Sequence, residues 1–291
     1  MELTIEGLSK TYPNGVQALK NISLSIPTGM FGLLGPNGAG KSTLMRTIAT
    51  LQEADTGSIR LDELDVLRDK TSVRRILGYL PQEFGVYPDV EAEEMLHHFA
   101  VLKGMHKSRE RKAHVAAILQ QTNLYHVRRS KLKEFSGGMK QRFGIAQALL
   151  CDPKLIIVDE PTAGLDPEER SRFLNLLSEI GENIIVILST HIVDDVRVLC
   201  SRMAIIHEGA VLLAGSPADA MTHLRGRIWK KVVAKAELAA CERAHQVIAN
   251  NLFAGKMLIR VLADSPPDSS FDPAEPDLED VYFSAVKNEI R

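Results

Sequence analysis

The chain opens on alternation. Leu3 and Ile5, then Ile22, Leu24 and Ile26, are apolar at every second position, which predicts strands buried on one face. Three other segments read differently: GMFGLLG (29–35), LIIVDE (155–160) and NIIVILST (183–190) are short, almost continuously apolar, and run into polar loops. That pattern predicts strands covered on both faces, as in a parallel sheet. Between them the apolar spacing turns helical. After Lys41, Leu44, Ile48 and Leu51 share one face; after Gly138, Met139, Phe143, Ala146 and Leu150 do the same. The reading is an α/β sheet, with a helical stretch at about 83–148 inserted between two sheet-forming parts.

Beyond the last buried strand the pattern changes. MAIIHEGAVLLAG (203–215) predicts a hairpin turning at Glu208 and Gly209. RIWKKVV (227–233) and KMLIRVL (256–262) predict two strands flanking a helix near 236–250. The segment 264–276 holds four prolines and several acids and predicts an exposed loop. A final helix follows, with Asp277 as N-cap and Leu278, Val281, Tyr282 and Ala285 along one face. The expected division is a main domain over 1–219 and a small accessory α+β domain over 220–291.

Composition narrows the classes. The 291 residues are 45 % hydrophobic and 25 % charged, enough for a core that needs no disulfides. The net charge of −2 supplies no global basic field for nucleic acid. The three cysteines, Cys151, Cys200 and Cys241, lack metal-ligand spacing and read as reduced, buried thiols of a cytosolic protein. Glu2 and Glu6 at the start argue against a signal peptide. The longest apolar runs are strand-length, so no membrane span is expected. Any membrane role would come through a partner, and the basic cluster Arg225, Arg227, Lys230 and Lys231 reads as a solvated face.

The candidate chemistry sits where the apolar strands end. GPNGAGKST, Gly35, Pro36, Asn37, Gly38, Ala39, Gly40, Lys41, Ser42 and Thr43, follows a strand and opens a helix. Its glycines let backbone N–H groups turn toward an anion, and the helix N-terminus adds positive potential. Lys41 can reach β- and γ-phosphates, and the Ser42 hydroxyl can ligate Mg²⁺. Asp159 and Glu160 end the strand LIIVDE. Asp159 would hold Mg²⁺ through its water shell, and Glu160 would orient or deprotonate an attacking water. His191 follows another buried strand and is read as a hydrogen-bond donor to the γ-phosphate. Gln82 follows a further apolar strand, placed to see both the metal and the inserted helices. EFSGGMKQR (134–142) has the make-up of a second anion-receiving helix start. One chain thus carries two phosphate cradles.

With the P-loop, Gln82, FSGGMKQR, LIIVDEP, GLDP and STH in this order, the sequence resembles the ATP-binding cassette (ABC) ATPases over about residues 2 to 216. The resemblance implies a P-loop NTPase cassette: a RecA-like core with an antiparallel β subdomain and an inserted helical subdomain. It also resolves the two cradles. In this family two cassettes pack head to tail, and the signature of one caps the ATP held by the P-loop of the other. Ser136, Gly137 and Gly138 would act in trans. Tyr12 would stack on adenine, Asp166 would link the two sites, and Gln82 would report nucleotide state to a membrane partner. Phe135 departs from the leucine usual before SGG, a change from apolar to apolar. PDLEDVYF (276–283) resembles the ending of cassettes that serve exporter-type permeases made as separate chains. The implied protein is a cytoplasmic ATPase subunit, peripheral on the membrane's cytoplasmic face through its permease. It would use ATP and Mg²⁺ and pair with a second cassette, a homodimer being preferred to a heterodimer. No nucleic-acid partner is expected. The competing reading is a soluble ABC ATPase acting on ribosomes or nucleic acid.

Overall fold

The computed structural model describes residues 1–82, 85, 87–162 and 164–289. Strands and helices are numbered along the chain. The alternating segments form β1 (Glu2–Thr11) and β2 (Gln17–Pro27), which join β4 (Thr56–Leu61) and β5 (Leu64–Asp65) in an antiparallel sheet of order β2-β1-β4-β5. The continuously apolar segments form the central sheet. It contains β3 (Gly29–Leu34), β6 (Leu77–Leu80), β7 (Leu155–Asp159), β8 (Ile185–Thr190), β9 (Arg202–His207) and β10 (Ala210–Gly215), in the order β10-β9-β3-β8-β7-β6. All its pairings are parallel except β9 with β10, the hairpin expected from the sequence.

Two cores explain why those strands lack alternation. Leu155 and Ile157 of β7 face one cluster, shared with Leu3, Ile5 and Ile22 of the antiparallel sheet. Ile156 and Val158 face the other, shared with Phe173 and Leu177 of α6 (Pro167–Ile180) and Val196 of α7 (Val193–Leu199). Every position of β7 is therefore buried, and apolar residues are needed on both faces.

On the antiparallel-sheet side, α1 (Lys41–Ile48) contributes Leu44, Met45 and Ile48 to the first core. α2 (Lys70–Ile76) leads into β6. The insertion then holds α3 (Ala92–Leu102), α4 (Ser108–Gln121) and α5 (Gly137–Leu149), which share their own cluster around Leu96, Leu119 and Phe143. Phe135 is buried there, its ring edge-on to Phe143 with centroids 6.3 Å apart, so the aromatic residue is absorbed by packing.

After β10 come α8 (Pro217–Thr222), β11 (Ile228–Val233), α9 (Leu238–Ala244), β12 (Val247–Phe253), β13 (Lys256–Leu262), β14 (Asp272–Pro273) and α10 (Leu278–Glu289). The strands form a sheet of order β12-β13-β11-β14. One cluster, with Val233, Ile259 and Phe271, belongs to this region alone. Ile228, Ile248, Leu278 and Val281 instead join the second core of the central sheet.

Several expectations need correction. The helix expected near 236–250 stops at Ala244, and residues 247–253 form an additional strand. A tight turn explains it: Ala254 and Gly255, with φ of 47° and 81°, return the chain from β12 into β13. Leu51 does not extend the α1 stripe. Thr50 takes φ of 61°, the Leu51 N–H bonds back to the Arg46 carbonyl at 2.9 Å, and the Leu51 side chain is exposed. Of the cysteines only Cys200 is fully buried; Cys151 and Cys241 are partly exposed. The acidic loop at 264–276 is largely exposed, yet Phe271 is buried within it. Asp277 does cap α10: its Oδ1 accepts from the Asp280 N–H at 2.9 Å, and Asp280 Oδ2 accepts from the Asp277 N–H at 2.9 Å.

Candidate functional site

The sheet order sets the site. β3, β8, β7 and β6 are successive neighbours running in parallel, so the loops leaving their C-terminal ends lie side by side. From β3 leaves the glycine loop, from β8 His191, from β7 Asp159 and Glu160, and from β6 Gln82.

Two glycines of the loop are packed too tightly to carry a side chain. A Cβ on Gly35 would collide with the Ile206 carbonyl, and one on Gly40 (φ 106°) with the Ala18 carbonyl. The hairpin turn at Glu208 and Gly209 clamps the loop from outside. The Gly209 N–H donates to the Ala39 carbonyl at 2.9 Å, while the Gly209 carbonyl accepts from Lys20 at 2.7 Å. α1 begins without a side-chain cap, which leaves its first N–H groups for an anion. Lys41 is buried, and its ammonium donates to the Gly35 and Pro36 carbonyls at 2.6 and 3.1 Å. Burial pulls its pKa below the ordinary lysine value, an effect partly offset by the charges of Glu160 and Asp159.

Asp159 is buried, and burial pushes its pKa above the usual carboxylate range. The hydroxyls of Ser189 and Ser42 act in the opposite sense. Glu160 follows with φ of 46°, and its N–H bonds to the Ser189 carbonyl at 2.9 Å. That left-handed turn separates the two carboxylates. Glu160 Oε2 accepts from Gln82 Nε2 at 3.4 Å and lies 3.2 Å from His191 Nδ1. The three residues expected to act at the reacting phosphate are thus together, with His191 half-exposed.

Lys41, Gln82 and Glu160 wall a pocket of about 460 Å³ that also takes in Tyr12, Asn37, Gly38, Ser42 and Thr43; Asp159 and His191 do not line it. The Tyr12 hydroxyl lies 3.1 Å from Thr43 Oγ1 and donates to Gln52 Oε1 at 3.2 Å. Gln52, Ala18, Lys20 and Glu208 help to shape the site without a motif of their own. Only the Glu208-Gly209 turn gave a sequence signal, and that signal spoke of a hairpin.

The second cradle stands apart. Ser136 caps α5, its Oγ accepting from the Met139 N–H at 3.2 Å. A Cβ at Gly137 would meet nothing within 4 Å, so this backbone faces open space. A Cβ at Gly138 would collide with Glu169, which pairs with Arg142 of the same helix. Asp166 caps α6, its Oδ1 accepting from the Glu169 N–H at 2.9 Å. The signature helix and the helix that follows GLDP are therefore joined through Glu169. Among the described residues that wall the Lys41 pocket, none comes from 136–138.

One cluster escaped the sequence reading. Asp195 of α7 is fully buried and accepts from Arg170 Nε and Nη2 at 3.0 and 2.7 Å and from Thr162 Oγ1 at 2.7 Å. It ties the loop after Glu160, the helix after Asp166 and the helix after His191. The available signal was an acid one helical turn beyond His191, between apolar Val193 and Val196.

Comparison with known proteins gives consistent matches. A family model described as ABC transporter matches residues 19–163. The linearmycin resistance ATP-binding protein LnrL of Bacillus subtilis is 35 % identical over 226 residues, covering 77 % of this chain and 72 % of that protein. The doxorubicin resistance ATP-binding protein DrrA of Mycobacterium tuberculosis is 33 % identical over 236 residues, covering 80 % and 71 %. ABC transporter A family member 8 of Dictyostelium discoideum is 36 % identical over 238 residues, but that match spans only 28 % of its length. Among solved structures, a dimeric bacterial ABC transporter cassette matches with a TM-score of 0.67 and 28 % identity, covering 74 % of this chain and 98 % of that one. A dimeric cassette bound to ADP and Pi, in a post-hydrolysis state, matches equally well.

Proposed function

This chain belongs to the ABC transporter family as an ATP-binding, ATP-hydrolysing protein, and we propose that it is the cytoplasmic motor of an exporter whose membrane permease is a separate chain. The observation that carries the reading is the split of the two cradles. The glycine loop, Glu160 and Gln82 line one pocket, with His191 in contact with Glu160, while Gly137 faces outward.

ATP is the substrate. The triphosphate lies along the loop 35–43, with backbone N–H groups and the α1 terminus on its β- and γ-oxygens. Lys41 leaves the Gly35 and Pro36 carbonyls for the phosphates, exchanging neutral acceptors for charged ones. Tyr12 stands at the edge of the pocket for the adenine. Glu160 holds the attacking water and takes its proton, and Gln82 and His191 hold the Glu160 carboxylate in place. His191 also reaches the γ-phosphate. Ser42 and Asp159 are the residues that would hold Mg²⁺, a hard cation suited to oxygen ligands. When bound, that ion neutralises charge developing on the phosphates.

A second copy of the chain brings its Ser136, Gly137 and Gly138 over the γ-phosphate. Two helix N-termini then face one anion. The dimeric cassettes among the matched structures support this pairing.

The permease is placed on a groove of about 700 Å³ between the central sheet and the inserted helices. Arg74, Arg75, Tyr79, Phe99, Leu102 and Lys103 line it. Leu102 is 71 % exposed, an apolar side chain without cover in the isolated chain. Residues 83–105 contribute their α3 end to this groove; residues 83, 84 and 86 lie outside the described residues. Among the described residues no helix is long and apolar enough to cross a membrane, so the span falls to the partner. The resistance proteins LnrL and DrrA support an exporter. No observation favours the ribosome or nucleic-acid reading.

The test is a tagged pull-down from gently solubilised membranes with ATP present. A multi-helix membrane protein recovered in stoichiometric amount is the expected result. Recovery of ribosomes or nucleic acid in its place would overturn the transport reading.

A further inference from the structure

The C-terminal helix reaches the loop that carries His191. α10 packs against α7, whose first residue is Val193, two positions after His191. Between them lies a cleft of about 260 Å³, walled by Arg170, His191 and Ile192 on one side and by Glu279, Tyr282 and Phe283 of α10 on the other. Tyr282 and Phe283 are packed edge to face, ring centroids 5.2 Å apart, so the two rings form one block.

Both sides of this cleft are fixed. α10 is pinned to the accessory sheet by Arg260, whose Nε donates to Asp280 Oδ1 at 2.6 Å and whose Nη2 donates to the Glu275 carbonyl at 2.8 Å. Asp280 is fully buried, and Leu278 and Val281 are buried in the core beneath the central sheet. α7 is held from its other side by the buried Asp195 with Arg170 and Thr162. The His191 imidazole itself is 52 % exposed. Its place is therefore set by the loop that carries it, and that loop sits between the Asp195 cluster and the aromatic block.

We propose that Tyr282 and Phe283 are positioning residues for hydrolysis: the C-terminal helix is the outer wall of the histidine loop and fixes the imidazole against Glu160. The inference rests on the reading of His191 as a group that meets the γ-phosphate. It gives the accessory region a part in turnover while leaving the nucleotide pocket, which it does not line, unchanged.

The test uses the full-length chain, with steady-state ATPase rates and titration of a fluorescent ATP analogue. Tyr282→Ala/Phe283→Ala is expected to lower kcat by about tenfold, since small misplacements of acting groups have effects of that order. Analogue affinity should stay within about twofold. Tyr282→Phe, which keeps the ring, should restore the rate. His191→Ala should lose more, and adding the tail substitutions to it should cost nothing further, because the wall then has no imidazole to place. A merely structural tail would make the two losses multiply. Multiplying losses, or a wild-type kcat in the tail variant, would overturn the proposal while leaving the site reading intact. A wild-type kcat in His191→Ala would overturn the role of His191 and the proposal with it. Should the double tail variant fail to fold, Phe283→Leu is judged by the same coupling to His191→Ala.

Discussion

At Lys41 a single side chain shows how the free site is poised. Its ammonium is buried among carbonyls, and its pKa is lowered by that burial. Lys41→Ala removes the charge that faces the phosphates, and ATP binding is expected to fall about a hundredfold or more by calorimetry. Glu160→Gln keeps the contact to Gln82 but removes the proposed base. It should bind ATP normally while kcat drops by about 10²–10⁴-fold in a phosphate-release assay. Cys200 tests the core. Burial pushes its thiol up to about 12, so native protein should leave it unalkylated at neutral pH while unfolded protein reacts. Mass spectrometry of iodoacetamide-treated protein reads the difference. Residues with chemistry at strand ends were legible in the sequence because buried apolar strands leave few places for polar groups. Gln52 and Ala18 were not, because they act through a side-chain amide and a backbone carbonyl supplied by distant segments.

Among the elements, α7 carries the most information. It is seven residues long, yet it holds Asp195 under the motif loop and supports both His191 and α10. Asp195→Ala strands the Arg170 guanidinium and the Thr162 hydroxyl. A destabilisation of about 3–5 kcal/mol is expected in urea unfolding, with an unchanged m-value. Element type followed from hydrophobic period in the central sheet, where burial on both faces forces continuous apolar runs. It failed at 247–253, where Asn250 and Asn251 break the pattern and an alanine takes the left-handed turn position a glycine would have advertised. The end of α1 before Leu51 was hidden for the same reason, since Thr50 adopts a conformation that its residue type disguises.

For the whole molecule, the arrangement of cradles is what the proposed function rests on. The order of the central sheet, which brings β3, β8, β7 and β6 together, was not legible from local pattern, because neighbours in the sheet are far apart in sequence. The resemblance to a family implied a RecA-like core without giving that order. The most direct test of the composite site exploits the open space at Gly137. A glutamate there meets no neighbour in its own chain, and at a helix start it is compatible with the helix dipole. It would nevertheless place a negative charge against a γ-phosphate held by a second copy. Light scattering should give Glu160→Gln in Mg-ATP twice the 32.1 kDa of one chain. Glu160→Gln/Gly137→Glu should bind ATP with the same affinity yet remain at 32.1 kDa. Equal dimerisation by both variants, or a Glu160→Gln protein that stays monomeric while saturated with ATP, would contradict the account.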